Sequence, residues 1–139
     1  MRFMVMVKAT AESEAGALPS TEMLTAMGRY NEELVKAGVM LAGEGLQASS
    51  KGARIRYSGG KATVTDGPFT ETKELVAGFW LLQAKSKDEI VEWLKRAPFQ
   101  DADVEIRQVF EVDDFGESLT PELRDSEEKL RAQAGLQQR

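Results

Sequence analysis

Residues 75–84 read LVAGFWLLQA. Both alternating phases of the segment are apolar, with Ala77, Phe79 and Leu81 in one and Val76, Trp80 and Leu82 in the other. A strand of this pattern is covered on both faces, whereas a half-solvated strand alternates apolar with polar residues. Just after it, Ser86 and Glu89 make a capping box, and Ile90, Trp93 and Leu94 share one face of the helix that follows. Pro98 closes that helix. Val104 to Val112 then sets Val104, Ile106, Gln108 and Phe110 against a mixed second phase containing Val109 and Val112, which predicts a further strand.

The same grammar appears upstream. Arg2 to Lys8 (RFMVMVK) is apolar in both phases and too short for a helix, so it reads as a central strand. Residues 9–19 read as a small-residue, acidic loop. Ser20 then caps a helix with Met23, Met27, Tyr30 and Leu34 on one face, Glu22 near its positive end and Gly38 as its terminator. The six methionines lie mostly in this first strand and helix, at core spacing, and read as packing. Val39 to Leu46 returns to strand, with Gly43 and Gly45 marking a bulge or close backbone approach around Glu44. Residues 53–65 form a hairpin turning at Ser58-Gly59-Gly60-Lys61.

The order is therefore β-α-β, a hairpin, and β-α-β again. It predicts an α+β, ferredoxin-like β-α-β-β-α-β sheet with an inserted hairpin, both helices on one face, and an extra C-terminal helix. Two helices cover only one face of such a sheet, yet the first and third strands are apolar in both phases. A second copy of the chain is the economical cover, so a homodimer is expected. Residues 1–112 are read as the ferredoxin-like domain and 113–139 as an acidic helical extension of it. In that extension Thr120-Pro121-Glu122 opens a helix with a thin apolar stripe at Leu123 and Leu130.

Composition narrows the chemistry. The 139 residues contain no histidine and no cysteine. Thiol nucleophiles, disulfides and imidazole or thiolate metal sites are thus excluded, as is the usual neutral-pH proton shuttle. Residues 1–110 carry 14 basic and 15 acidic side chains, and residues 111–139 carry 4 and 8. No basic cluster suits nucleic acid, and no apolar run approaches the ~20 residues that span a bilayer. A cytoplasmic protein is expected, with no metal and no cofactor.

Proton transfer then falls to carboxylates. Glu44, between two glycines in an apolar strand, is one candidate general acid or base, and its plainer alternative is an edge or bulge position that exposes it, or a salt bridge to Arg54 or Arg56. Asp66 opens the turn Asp66-Gly67-Pro68-Phe69, where it can accept backbone amides while Phe69 plugs the core. The polar run Thr70-Glu71-Thr72-Lys73-Glu74 follows, either as a solvated connector or as the mouth of a cleft. Arg54 and Arg56 share one face of the hairpin, which reads either as merely solvated or as a clamp for an anion or carboxylate substrate.

The stretch VTDGPFTETKE, residues 64–74, resembles the YCII-related proteins of the DGPF type. MRFMVMV at the start, AGVMLAGEGLQ (37–47), GFWLL (78–82) and FEVDDFGESLTPELR (110–124) extend the resemblance over nearly the full chain. It implies a dimeric α+β barrel in which two ferredoxin-like subunits pack sheet to sheet and enclose clefts. It also implies kinship with a wider group in which some members look like enzymes with a His–Asp pair in the cleft and to which a dehydrochlorinase belongs, although a chain without histidine holds no such pair.

The reading that results is a small-molecule lyase- or isomerase-like protein acting on an anionic or ring metabolite. Glu44 and Asp66 would do the chemistry, and Arg54, Arg56, Phe69, Glu71, Lys73 and Glu74 would bind substrate or hold the loop. The alternative is a non-catalytic, ligand-binding or regulatory dimer.

Overall fold

The computed structural model describes residues 1–137. Its elements are β1 (Arg2–Lys8), α1 (Ala11–Glu14), α2 (Thr21–Lys36), β2 (Met40–Gly45), β3 (Ala53–Ser58), β4 (Lys61–Asp66), β5 (Val76–Gln83), α3 (Lys87–Lys95), β6 (Val104–Gln108) and α4 (Pro121–Gln137). Short 3-10 turns fall at Ser49–Lys51, Thr72–Glu74 and Val112–Ser118. The chain divides into two compact units, Met1–Gln108 and Val109–Arg139.

In the first unit the strands run β2-β5-β1-β6, every neighbouring pair antiparallel. This is the ferredoxin-like arrangement. The hairpin β3–β4 forms a separate two-stranded sheet, pairing Ile55 with Val64 and Tyr57 with Ala62. Among the described residues no helix is long and apolar enough to cross a membrane.

Local signals place the two long helices. Ser20 Oγ accepts the Met23 N–H at 3.1 Å to start α2, and Gly38 ends it with a positive φ of 71°, which glycine adopts without strain. Ser86 Oγ accepts the Glu89 N–H at 3.3 Å to start α3. The Glu89 carboxylate reaches back to the Lys85 N–H at 2.7 Å, one residue beyond the usual capping-box partner. Both helices pack on one face of the sheet. Phe3 and Val5 of β1, Trp80 and Leu82 of β5, Tyr30 and Leu34 of α2, Ile90 of α3 and Val39 make the buried core. Its polar atoms are satisfied: Tyr30 OH donates to the Trp93 carbonyl at 2.6 Å, and Trp80 Nε1 donates to Asn31 Oδ1 at 2.9 Å. Burial pushes the Tyr30 hydroxyl up to about 12, so it stays a proton donor at any ordinary pH.

The opposite sheet face carries the other phase. Met4 stands opposite Leu81, and Met6 opposite Phe79. All four are half-buried and lie outside the core cluster. Glu44 flanks this stripe across from Phe79, and Glu105 flanks it on the other side across from Met6.

Two expectations need correction. Residues 9–19 are not wholly loop, because Thr10 and Ser13 cap each other's backbone and fold Ala11–Glu14 into one helical turn. A serine in place of the usual Glu or Gln at the third helical position hides that signal. The last strand stops at Gln108, four residues before Val112, and a 3-10 segment starts where the Asp114 carboxylate accepts the Glu111 N–H at 2.8 Å.

In the second unit Phe110 and Phe115 stack at 5.0 Å. Asp113 pairs with Arg124 of α4 at 3.2 Å. Exposed pairs Asp125–Lys129 and Glu127–Arg131 run along α4 at helical spacing. Leu123 and Leu130 are exposed.

Leu82 is fully buried, whereas Leu41 on edge strand β2 is exposed. Leu82→Ala is expected to lower unfolding free energy by about 2–5 kcal/mol in urea titration. Leu41→Ala should cost under ~1 kcal/mol in the same measurement, being a surface change.

Candidate functional site

The turn that follows β4 is shaped by one close approach. A Cβ on Gly67 would lie 1.8 Å from the carbonyl oxygen of Ser49, so only glycine fits against this backbone. The Gly67 N–H donates to the Gly52 carbonyl at 3.0 Å, and the Gly67–Pro68 bond is cis. The Phe69 N–H donates to Ser49 Oγ at 3.0 Å. The Asp66-Gly67-Pro68-Phe69 turn is therefore docked onto the 3-10 turn Ser49–Lys51.

Three expected site residues meet beside it. The Arg54 guanidinium lies 3.9 Å above the Phe69 ring, and its Nη1 reaches Glu71 Oε2 at 3.4 Å. A hydrogen bond from its own backbone amide, followed by the Arg54 charge, holds the Glu71 carboxyl below the usual carboxylate value. Phe69 thus does not plug the core, because it sits half-exposed beneath an arginine outside the core cluster. Arg54, Arg56 and Phe69 line an open groove of about 570 Å³ along the hairpin. Asp66, Lys73 and Glu74 are exposed. Glu44 is exposed on edge strand β2 and lines neither this groove nor the larger cleft.

That larger cleft, about 780 Å³, opens elsewhere. Its position follows from strand register. β1 and β2 both run antiparallel to β5, with Val7 and Gly45 each opposite Gly78, so both strands end where β5 begins. The chain leaving β1 forms α1, and the chain leaving β2 forms the 3-10 turn at Ser49. These two segments wall the cleft, with Phe99, Asp101 and Ala102 completing it. None of the eight residues expected from sequence lines it.

Val7, Leu46, Ala77 and Phe99 supply apolar surface to this cleft. Phe99 is tied to the core by a chain of edge-on aromatic contacts, 6.0 Å to Trp80 and then 5.9 Å to Tyr30. The charged groups are Lys8, Glu12, Glu14, Lys51 and Asp101. Lys8 is engaged by Glu105 at 3.4 Å. Hydrogen bonding to Arg107, then the Lys8 charge, holds the Glu105 carboxyl below its usual value. Glu14 is engaged by Ser49: its Oε2 accepts the Ser49 N–H at 2.9 Å, and its Oε1 accepts the Ser49 hydroxyl. Those bonds, the hydroxyl first, hold the Glu14 carboxyl below the ordinary carboxylate value. Lys51 has no ion-pair partner among the described residues. The arrangement offers an apolar floor for a ring, a free cation for an anionic substituent, and carboxylates at the rim.

Gly67→Ala must displace the Ser49 backbone, whereas a Cβ at Gly45 meets nothing within 4 Å. The first substitution is expected to destabilise by about 1–3 kcal/mol or prevent folding, as overpacking against backbone does. Gly45→Ala should leave the thermal midpoint within a few degrees of the parent, which differential scanning calorimetry would read.

A protein of Rhizobium meliloti, itself uncharacterized, is 38% identical over 69 residues, which take in 50% of this chain and 56% of that protein. The chain thus matches little more than half the length of that relative. Among solved structures it is similar to the 5-chloro-2-hydroxyhydroquinone dehydrochlorinase of Burkholderia phenoliruptrix in complex with 2,5-dihydroxybenzoquinone. That likeness is 20% in identity, with a TM-score of 0.42, and covers 80% of this chain and 96% of the other. The YCII-related domain matches residues 1–113, from β1 through the Asp66–Phe69 turn and beyond β6, so the chain belongs to the YCII-related domain family.

Proposed function

We propose that the cleft between α1 and the Ser49 turn binds a small ring-shaped or anionic metabolite, with Phe99 against the ring and Lys51 on the negative group. The observation that carries this reading is the pairing of an apolar floor with Lys51, a cation that has no ion-pair partner among the described residues, in a cleft of about 780 Å³. That volume lies within the ~300–1,000 Å³ typical of small-molecule sites. In a chain without histidine or cysteine, any proton transfer on such a ligand falls to carboxylates, here Glu12 and Asp101 at the rim. Lyase- or isomerase-like chemistry is the catalytic form of the proposal. The exposure of both acids favours the second form, a non-catalytic binding protein.

The functional unit in this reading is a homodimer. Met4, Met6, Phe79 and Leu81 form an apolar stripe on the face that α2 and α3 leave free. A second copy packed sheet to sheet would cover it and enclose Glu44 at its margin, which keeps that carboxylate, with Asp66, among the groups to be tested for chemistry.

Naphthalene-2-sulfonate, anionic at every working pH, and 2-naphthol, a neutral analogue with the same ring, provide the test by amide NMR titration. Both should shift the resonances of Leu46–Lys51 and Ala77. Lys51→Ala should weaken the sulfonate about tenfold, the loss of one charge-assisted contact, and leave naphthol nearly unchanged. Shifts confined to the Arg54–Arg56 groove would overturn the assignment. For the assembly, sedimentation should give twice 15.3 kDa. Phe79→Lys should return the particle to a single chain, and a wild-type particle of 15.3 kDa at micromolar concentration would refute the dimer.

A further inference from the structure

α1 is a single turn of four residues with none buried. A helix that short does not persist on its own propensity. Its local bonds, the Thr10–Ser13 cap and the Gly16 and Ala17 amides folded back on Ser13 and Glu12, hold its shape but not its place. Leu18, just beyond it, is 89% exposed and anchors nothing. Among the described residues, the only hydrogen bonds that leave residues 10–19 are the two that Glu14 accepts from Ser49, 35 positions away in sequence.

Ser49 is in turn fixed from its other side. Its Oγ accepts the Phe69 N–H at 3.0 Å while donating to Glu14, and its carbonyl lies against Gly67 with no room for a side chain. One serine therefore joins three segments that are remote in sequence: α1, the 3-10 turn after β2, and the Asp66–Phe69 turn after β4.

We propose that the Asp66–Phe69 turn acts through Ser49 and Glu14 to hold the α1 wall of the cleft in place, making Ser49 and Glu14 positioning residues for the ligand. The proposal rests on the assignment of this cleft as the binding site. It gives the family's signature stretch a role in binding without placing any of its residues in the cleft. Ser49 accepts from Phe69 and donates to Glu14 through one hydroxyl oxygen, so removing that oxygen cuts both ties at once. A two-point carboxylate grip also specifies orientation, which a single bond does not.

The tie depends on ionised Glu14. Its carboxyl titrates below the ordinary value, so the grip is present at neutral pH and is lost as pH falls through that lowered value. The other charged groups in the cleft are Glu12 on α1, Lys51 on the 3-10 turn, Lys8 on β1 and Asp101 before β6.

The test combines amide hydrogen exchange with naphthalene-2-sulfonate binding on the full chain. Ser49→Ala should raise exchange at Phe69 and across 11–17 by about tenfold or more, the effect of losing a charge-assisted bond. Sulfonate affinity should fall several-fold while exchange of core amides at Val5, Trp80 and Leu82 stays at the parent rate. Ser49→Thr, which keeps the hydroxyl, should restore most of both. Glu14→Gln should reproduce the loosening at neutral pH and remove the acid-side fall in sulfonate affinity shown by the parent. Unchanged exchange in Ser49→Ala, or loosening spread evenly over the core amides, would overturn the proposal. If the parent takes up no sulfonate but 11–17 still loosen selectively, the binding reading fails and the tie itself stands.

Discussion

Strand β5 lies between β1 and β2 and must satisfy packing on both faces at once. Trp80 and Leu82 face the helices and join Phe3, Val5, Leu34 and Ile90 in the core. Each such side chain contributes on the order of 1.5–3 kcal/mol by leaving water, so this face fixes the register. A slip of one residue would send Phe79 and Leu81 to the helices and Trp80 to the open side, losing the Trp80–Asn31 hydrogen bond and the edge-on contact with Tyr30. Once the register is set, the ends of β1 and β2 fall beside the start of β5, and the cleft forms where these three ends meet. Fold and site thus follow from one pairing constraint.

Much of the fold was legible because its signals are local. The capping serines Ser20 and Ser86, the terminator Gly38 and the double-phase apolar strands each act within a few residues, and each lies where its pattern places it. The cleft was far less legible. Its walls come from residues that look like connector: Ala11–Glu14 carries no apolar stripe, and Ala48–Lys51 has neither a turn signature nor a charge run. What makes them matter is a contact between Glu14 and Ser49 across 35 residues, and periodicity carries no information about such a contact. Glu44 drew attention because an acid between glycines in an apolar strand would be costly if buried. On an edge strand it is exposed, and the cost does not arise within one chain.

The Asp66–Phe69 turn shows why a sequence motif need not be a chemical one. Aspartate, glycine, proline and phenylalanine suggest a reactive carboxylate or a ligand loop as readily as a turn. In the fold Gly67 is required by the Ser49 carbonyl, Phe69 contributes its amide to Ser49 and its ring to Arg54, and Asp66 closes the β4 ladder opposite Ala53. Arg54, a plausible anion clamp by charge, already holds Phe69 and Glu71. Its neighbour Arg56 lines the same groove with no ion pair among the described residues.

The cleft joins two kinds of wall. Phe99 is coupled through Trp80 and Tyr30 to the best-packed part of the molecule, so the floor inherits the rigidity of the core. The α1 side buries nothing and is held by hydrogen bonds at one serine, which places it at the low-stability end of the structure. A rigid apolar floor supplies affinity for a ring with little ordering cost, while a lightly held polar wall can adjust to substituents. Proteins that vary their ligands while keeping their scaffold need this division, since changes at α1 leave the core register untouched. The absence of histidine then reads differently from a missing catalyst. Specificity in such a cleft can be set by the hydroxyls and carboxylates of the α1 wall and by Lys51 on the 3-10 turn opposite, and none of these requires a group that titrates at neutral pH.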